Sequence, residues 1–305
     1  MAAFAFRSQP KASMNPQIKA LIDGYSIEVM PRTASKIEDF RALLPSGTRV
    51  YIAHVEGTHI DDMVATAKRL RLEGFAPMPH FPARIIKDRK TLALMIARYR
   101  DEANVDEGLV LAGGAAEASG DFDSSMQLLE SGLFADFRRL HIAGHPEGNR
   151  DIDPDGGERG VMEALAWKQR FAACTDADFA IATQFSFDPE AIIAWAERLR
   201  DADIEMPIHI GIAGPAKLQT LIKFALSCGI GPSLFVLQKR ARDITKLLLP
   251  FEPTAILNRL AQYKSDHPKG NIAGIHFFPL GGIQRCASWI AEHGAAQPAK
   301  ASNPS

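Results

Sequence analysis

The fold of this chain is constrained most strongly by eight short apolar runs that alternate with segments of helical periodicity. No two consecutive runs are joined by a hairpin signal, so the strands are expected to be parallel and connected by helices. The predicted strands are residues 25–30, 49–55, 75–80, 108–114, 140–144, 179–184, 206–212 and 272–278.

Eight strand–helix units are what an α/β fold of the (β/α)8 TIM barrel type requires, and 305 residues are enough for one such domain. An open doubly wound sheet is the alternative, although no predicted strand is followed by the G-x-G-x-x-G pattern of a dinucleotide-binding half. Residues 215–266 contain three predicted helices and no strand. We therefore expect a barrel over residues 21–294 with extra helices between strands 7 and 8. An N-terminal extension (1–20) should precede it, and a disordered C-terminal tail (295–305) should follow it.

Local sequence predicts several helix boundaries. Asp188 and Pro189 predict a helix start, because Asp caps the first turn and Pro is preset for it. Thr58 and Asp61 resemble a capping box. A helix is also expected over residues 35–44.

The charge balance argues against several kinds of partner. Lys and Arg number 35 against 36 Asp and Glu, and the net charge is −1, so neither nucleic acid nor an anionic membrane is expected as a partner. No apolar segment reaches the roughly 20 residues of a membrane span. Cys174, Cys228 and Cys286 are scattered, which predicts buried thiols in a cytoplasmic protein.

The active face of such a barrel lies at the carboxyl ends of the strands, and polar residues end several of these apolar runs. Glu28 lies between Ile27 and Val29 and shares its parity with Ser26, so it should point into the barrel mouth. Burial there should raise the pKa of its carboxyl group, which suits a general acid at neutral pH; an ion pair at the rim is the alternative. The Gln184 amide could bind the edge of a heterocycle or cap backbone groups.

Other residues at this face leave more than one interpretation open. The Gly pairs 113–114 and 281–282, and the segment 211–214, could bring backbone amides to a phosphate or form tight turns. Three histidines could contact a cofactor, make structural hydrogen bonds or bind a metal, although no Asp follows a strand to complete a metal site. These are His54, His80 and His145.

Several short motifs, taken in order, resemble the methylenetetrahydrofolate reductase family. They are residues 26–31 (SIEVMP), 79–80 (PH), 142–148 (IAGHPEG), 168–170 (KQR), 182–185 (ATQF) and 274–278 (GIHFF). Their order and their placement on successive predicted strands carry the resemblance, which runs from about residue 24 to 293.

Members of that family are flavin-dependent (β/α)8 barrels. They bind FAD in the barrel mouth and pass a hydride from a nicotinamide cofactor, through the flavin, to 5,10-methylenetetrahydrofolate, giving 5-methyltetrahydrofolate. The resemblance implies a single-domain oxidoreductase that interconverts these tetrahydrofolate derivatives in one-carbon metabolism. FAD is then the cofactor, while the use of NADH or NADPH and the assembly into a homo-oligomer are left open.

The resemblance also implies roles for individual residues. Glu28 falls at the general acid that protonates the folate nitrogen. Gln184 and Phe185 fall where the family contacts the pterin, and Leu218 falls near a position that contacts the nicotinamide or folate ring. The residues implied to contact FAD are His54, His80, Ala112, Gly113, Gly114, His145, Pro146, Glu147, Asn149, Lys168 and Arg170.

The sequence departs from the family beside the expected flavin. Residues 112–114 (AGG) stand where Arg-Gly-Asp is usual, and the absence of that carboxylate should raise the flavin's reduction potential. His145 replaces a Tyr, Asn149 a His and Leu218 an aromatic residue. Two other functions stay open. The glycines at 211–214 and 281–282 would suit a barrel lyase or isomerase acting on a phosphate substrate, and the missing carboxylate and aromatic residue would suit a protein that binds a reduced folate without turning it over.

Overall fold

The computed structural model describes residues 15–227, 231–241 and 250–294. Eight strands form one closed, all-parallel barrel in which each strand pairs with its neighbours in chain order, and β8 closes on β1. The predicted (β/α)8 barrel is confirmed. The strands are β1 (Ser26–Val29), β2 (Arg49–Ile52), β3 (Ala76–Pro82), β4 (Glu107–Leu111), β5 (Arg139–Gly144), β6 (Asp178–Phe185), β7 (Ile208–Ala213) and β8 (Ile272–Phe278).

Helices surround the barrel and connect its strands. Within the described residues, α8, α9 and α10 lie between β7 and β8, where extra helices were predicted. The helices are α1 (Pro16–Ile22), α2 (Pro31–Ala34), α3 (Ile60–Leu72), α4 (Arg89–Ala103), α5 (Ser125–Glu130), α6 (Arg159–Ala172), α7 (Pro189–Asp201), α8 (Leu218–Ser227), α9 (Gly231–Ala241), α10 (Thr254–Asp266) and α11 (Ile283–Glu292).

The predicted helix starts had different outcomes. α7 begins as expected, because the Asp188 side chain accepts hydrogen bonds from two backbone N–H groups of the first turn and Pro189 occupies its first position. The capping box was wrong: α3 begins at Ile60 and follows His59, whose side chain makes no capping bond.

The prediction of one helix over residues 35–44 is also wrong. One short helix ends before this segment, and another lies within it. Pro31 begins α2, and the Thr33 hydroxyl accepts a hydrogen bond from the Met30 N–H at 3.0 Å. The Asp39 side chain then caps a separate 3-10 helix (Phe40–Ala42). Each short polar side chain satisfies local backbone groups, so one long helix is not formed.

Helix α1 begins within the segment expected to precede the barrel. Ile18, Leu21 and Ile22 are at most 2% exposed, and the helix packs against α10 and β8. The packed structure therefore begins at least as early as Pro16. The remainder of the expected extension and the expected tail lie outside the described residues.

The cysteine prediction holds only in part. Cys286 is buried, Cys174 is exposed, and Cys228 lies outside the described residues. Among the helices that the structure describes, none has the length and apolar character needed to cross a membrane.

Candidate active site

Glu28 lies on the inner face of β1 near the carboxyl end of the strand. Its side chain is 20% exposed, with Oε2 3.4 Å from His80 Nε2 and 3.9 Å from His276 Nε2. Ile27 and Val29, on the opposite face of the strand, are buried in the layer between barrel and helices. Burial raises the pKa of Glu28 and the nearby His80 opposes that shift, so the predicted direction is confirmed.

The two histidines beside Glu28 are neutral near pH 7. Burial lowers the pKa of His80 to about 4, against the attraction of Glu28, and burial lowers the pKa of His276 to about 3. A neutral imidazole has one donor and one acceptor nitrogen, so each ring can both give and take a proton. The group is therefore suited to proton transfer rather than to holding a fixed charge.

A second group joins the loop after β5, helix α6 and the end of β6. His145 has its pKa lowered to about 4 by burial and by the charge of Lys168, while a hydrogen bond from the His145 ring to the Gln184 side chain opposes the shift. Lys168 is 6% exposed, and burial lowers its pKa to about 8. Three residues predicted for the site, from separate elements, are thus electrostatically coupled.

An irregularity in β6 determines the backbone position of Gln184. The register with β7 shifts between Ala182 and Phe185, and the Gly211 N–H donates to Thr183 Oγ1 at 2.8 Å. A Cβ atom on Gly211 would lie 2.3 Å from the Thr183 carbonyl oxygen. Only glycine permits this approach, so the β6 irregularity depends on Gly211.

Two residues predicted to bind the cofactor make hydrogen bonds within the protein. The Glu147 carboxylate accepts hydrogen bonds from both the backbone N–H, at 2.8 Å, and the hydroxyl of Ser233 near the start of α9. The Asn149 side chain accepts from the Asp151 N–H at 2.9 Å and shapes its own loop. These contacts anchor the inserted helices and the loop, and the cofactor assignment stays a prediction.

Other predicted residues lie in packed or exposed positions. Phe185 is 3% exposed and packs edge-on against Phe187 and Phe278, and Leu218 is 2% exposed in the same core. Pro146 is buried and Arg170 is exposed. Substrate contact by Phe185 or Leu218 would require these packed side chains to move.

At two of the glycines that follow strands, neighbouring atoms lie where a side chain would be. A Cβ atom on Gly281 would lie 2.1 Å from the Pro215 carbonyl oxygen, and one on Gly214 would lie 2.5 Å from Cys286 Sγ. Gly113, beside Ala112 and Gly114, has a φ of +96°, which favours glycine. Packing thus accounts for Gly281 and Gly214, and backbone conformation accounts for Gly113, whereas neither explains Gly114.

The metal alternative gains no geometric support. His54 is partly buried after β2, with Nε2 3.2 Å from the Thr58 carbonyl oxygen. Over residues 15–227, 231–241 and 250–294, no group of three or more His, Cys, Asp or Glu side chains is arranged to hold a metal ion.

The opposite end of the barrel holds a charged cluster and a cavity of about 640 Å³. Glu107, 1% exposed, accepts hydrogen bonds from Arg49 at 2.5 and 3.3 Å, from Arg139 at 3.2 Å and from Arg138. Arg49, Arg139, His141 and His209 line the cavity, together with the end of α6 and residues 205–207.

A solved structure with the same overall architecture is that of an uncharacterized protein from Clostridium thermocellum that binds two copies of 5-methyl-5,6,7,8-tetrahydrofolic acid. It matches with a TM-score of 0.55 and 13% identity, over 92% of this chain and 98% of that chain. The carboxyl transferase domain of Rhizobium etli pyruvate carboxylase, with 3-bromopyruvate, gives a TM-score of 0.39 and 10% identity, over 80% of this chain and 47% of that chain. No protein-family profile matches the sequence. At 13% identity, the similarity to the Clostridium thermocellum protein shows the fold alone.

Sequence reasoning missed the polar interior below Glu28. Tyr51, His141, His209 and His276 line the inside of the barrel from β2, β5, β7 and β8. Each lies at a position of its strand whose side chain points inward, as that of Glu28 does, so strand alternation could have predicted these residues. The prediction considered only the residues at the strand ends and therefore did not include them.

Proposed function

We propose that this protein binds a reduced folate in the mouth of the barrel and interconverts 5,10-methylenetetrahydrofolate and 5-methyltetrahydrofolate. The observation that carries the proposal is the setting of Glu28, a one-fifth exposed carboxyl group with a raised pKa beside two neutral imidazoles. A carboxyl group with a raised pKa keeps its proton to a higher pH than a solvated one, and it can protonate a nitrogen in the substrate. The Clostridium thermocellum structure supports a folate as the ligand.

The residues fit a flavin as the redox cofactor, although only in part. Buried imidazole nitrogens of His54, His80 and His145 have no hydrogen-bond partner among the described atoms and could serve a polar ligand. Lys168 is a buried ammonium group without an ion-pair partner in the described part of the chain, and a pyrophosphate would supply one. FAD, when bound, supplies the hydride transfer. Glu147 is already engaged by Ser233 and would not hold it.

The protein's own contribution is the control of one proton. In the reducing direction, Glu28 donates its proton to the folate nitrogen that is released when the five-membered ring opens, and in the oxidising direction it takes that proton back. Burial lowers the pKa of both His80 and His276, and the effect of burial on Glu28 exceeds the opposing effect of His80, so the pKa of Glu28 stays raised. Gln184, whose backbone position depends on the irregular β6 and whose side chain hydrogen bonds with His145, would contact the pterin edge through its amide group.

The experiment combines a spectrum with two half-reactions. Purified protein, after addition of FAD, should show a bound-flavin absorption spectrum, and anaerobic addition of 5-methyltetrahydrofolate should bleach it. Glu28→Gln should slow this folate half-reaction by about 10²- to 10⁴-fold while leaving flavin reduction by a nicotinamide donor, if one is used, unchanged. Glu56→Gln, an exposed Glu in the loop after β2, is the matched control and should behave as wild type. Equal loss of both half-reactions in Glu28→Gln would argue against the general-acid role.

A second function is favoured by one comparison and one sequence departure. The Clostridium thermocellum protein is described as binding 5-methyltetrahydrofolate, and residues 112–114 of this chain lack the carboxylate of the reductase family. A protein that binds a reduced folate without turnover would fit both observations. Calorimetric binding of 5-methyltetrahydrofolate, together with no flavin binding and no redox change, would select this function.

A further inference from the structure

A series of polar side chains connects Glu28 to the opposite end of the barrel. Its upper part begins at the 3.9 Å separation between Glu28 Oε2 and His276 Nε2. The other ring nitrogen of His276, Nδ1, is 2.9 Å from Ser26 Oγ in a fully buried hydrogen bond. A movement of about 1 Å by either side chain would bring the first pair to hydrogen-bond distance.

The series continues through Tyr51 on β2. Ser26 also acts on Tyr51, where it opposes the rise that burial causes in the pKa of the tyrosine hydroxyl. The ring centroid of Tyr51 lies 4.2 Å from that of His276. The Tyr51 hydroxyl is hydrogen bonded to His141 Nδ1. Ser26, Tyr51, His141 and His276 are each at most 1% exposed, so water does not surround the series.

The lower end of the series reaches the cavity. His141 lines it, and the ring of His209, 5.0 Å from that of His141, lines it as well. Asp178 and Glu205, at the rim of this cavity, are exposed, so the cavity faces solvent at the amino ends of the strands. The groups therefore connect the candidate general acid with a water-accessible space on the far side of the barrel.

We infer that the interior of this barrel is a proton path, in which His276, Ser26, Tyr51 and His141 connect Glu28 with the amino-end cavity. The inference rests on the proposed function, in which a folate in the mouth covers Glu28 from solvent on the carboxyl side. Every member is a hydroxyl or a neutral imidazole, and such groups can accept one proton while they release another. An interior built only for packing would not need this property at four consecutive positions.

The transfer moves one proton and changes no oxidation state. After Glu28 has protonated the folate, His276 gives its Nε2 proton to Glu28, Ser26 gives its proton to His276 Nδ1, and Tyr51 gives its proton to Ser26. His141 then gives its Nδ1 proton to Tyr51 and takes a proton at Nε2 from water or a buffer acid in the cavity. The conjugate base stays in the cavity, and Glu28 is again in its acid form.

Replacement of Tyr51 by Phe tests the path, because it removes one hydroxyl from the middle of the series. We expect Tyr51→Phe to slow the folate half-reaction by roughly 10-fold or more, within the range of proton-transfer effects. We also expect a changed solvent deuterium isotope effect on that step and an unchanged rate for the hydride step with the nicotinamide donor. Tyr99→Phe is the matched control, since Tyr99 is an equally buried tyrosine packed against Phe81 outside the barrel. If Tyr51→Phe does not fold, Ser26→Ala breaks the adjacent link and takes its place.

Nitrogen NMR of the histidine side chains tests the path independently of turnover. Tyr51→Phe should shift the ring signals of both His141 and His276, whereas Tyr99→Phe should shift neither. A folate half-reaction at the wild-type rate in Tyr51→Phe would overturn the inference. If the wild-type protein shows no folate chemistry, the proposed function fails, and the NMR spectra then test the path by themselves. An unchanged His276 signal in Tyr51→Phe would overturn the path, and a changed His276 signal would support it.

Discussion

The buried carboxylate at the amino end of the barrel gives a sharp prediction about stability. Glu107 is 1% exposed and contacts three guanidinium groups, with distances of 2.5 and 3.3 Å to Arg49 and 3.2 Å to Arg139. Glu107→Gln keeps the shape of the side chain but removes its charge and turns an NH₂ group toward these donors. Removing one partner from a buried ion pair costs about 3–5 kcal/mol, a large part of the about 5–15 kcal/mol that stabilises a typical domain.

Urea denaturation followed by circular dichroism measures this loss. With a slope of about 3 kcal/mol per M, Glu107→Gln should lower the unfolding midpoint by roughly 1–1.7 M. Glu102→Gln is the control, because Glu102 is 43% exposed in a pair with Arg98 on the surface of α4, and its replacement should change the unfolding midpoint little. A Glu107→Gln protein within 1 kcal/mol of Glu102→Gln would refute the claim that this buried cluster stabilises the barrel.

The same cluster predicts how stability depends on pH. Burial alone would raise the pKa of Glu107, but hydrogen bonding to Arg49 and the charges of Arg49, Arg139 and Arg138 outweigh it and lower the pKa. A carboxyl group whose pKa is lower in the folded state than its unfolded value of about 4.3 stabilises the fold above that pH. The difference between wild type and Glu107→Gln should therefore shrink as the pH falls below about 4, and a difference that stays constant from pH 3 to 7 would contradict this origin.

Three further predictions concern single positions. Gly211→Ala should cost at least about 2 kcal/mol in urea denaturation and weaken folate binding, because its Cβ atom would lie 2.3 Å from the Thr183 carbonyl oxygen and displace Gln184. Asn104 ends α4 in the left-handed conformation with a φ of 47°, so Asn104→Ala should cost about 1 kcal/mol while Asn104→Gly should be nearly neutral in the same assay. If Lys168 binds the cofactor phosphates as a cation, FAD affinity should fall as the pH rises through about 8, and Lys168→Met should remove that dependence in fluorescence titrations.

The order of the elements could be predicted from the sequence because strand and helix periodicities are local. The eight apolar runs correspond to the eight barrel strands, and Asp188 with Pro189 marks the start of α7. The inward direction of Glu28 also follows from alternation along β1, and with it the direction of its pKa shift. The helix predicted over residues 35–44 was wrong because local side chains compete for the backbone hydrogen bonds there, and Asp39 caps a separate short helix.

What only the tertiary structure decided is which side chains meet. Tyr51 and His141 are 90 residues apart and share a hydrogen bond. Glu147 and Ser233 are 86 residues apart, and their contact joins the loop after β5 to helix α9. The alternation along a strand predicts which side chains point inward. Only the closed barrel determines which inward side chains from different strands lie at the same height along its axis. By itself, the sequence therefore determined the barrel and the candidate acid, whereas the closed register determined that the candidate acid lies at one end of a polar interior.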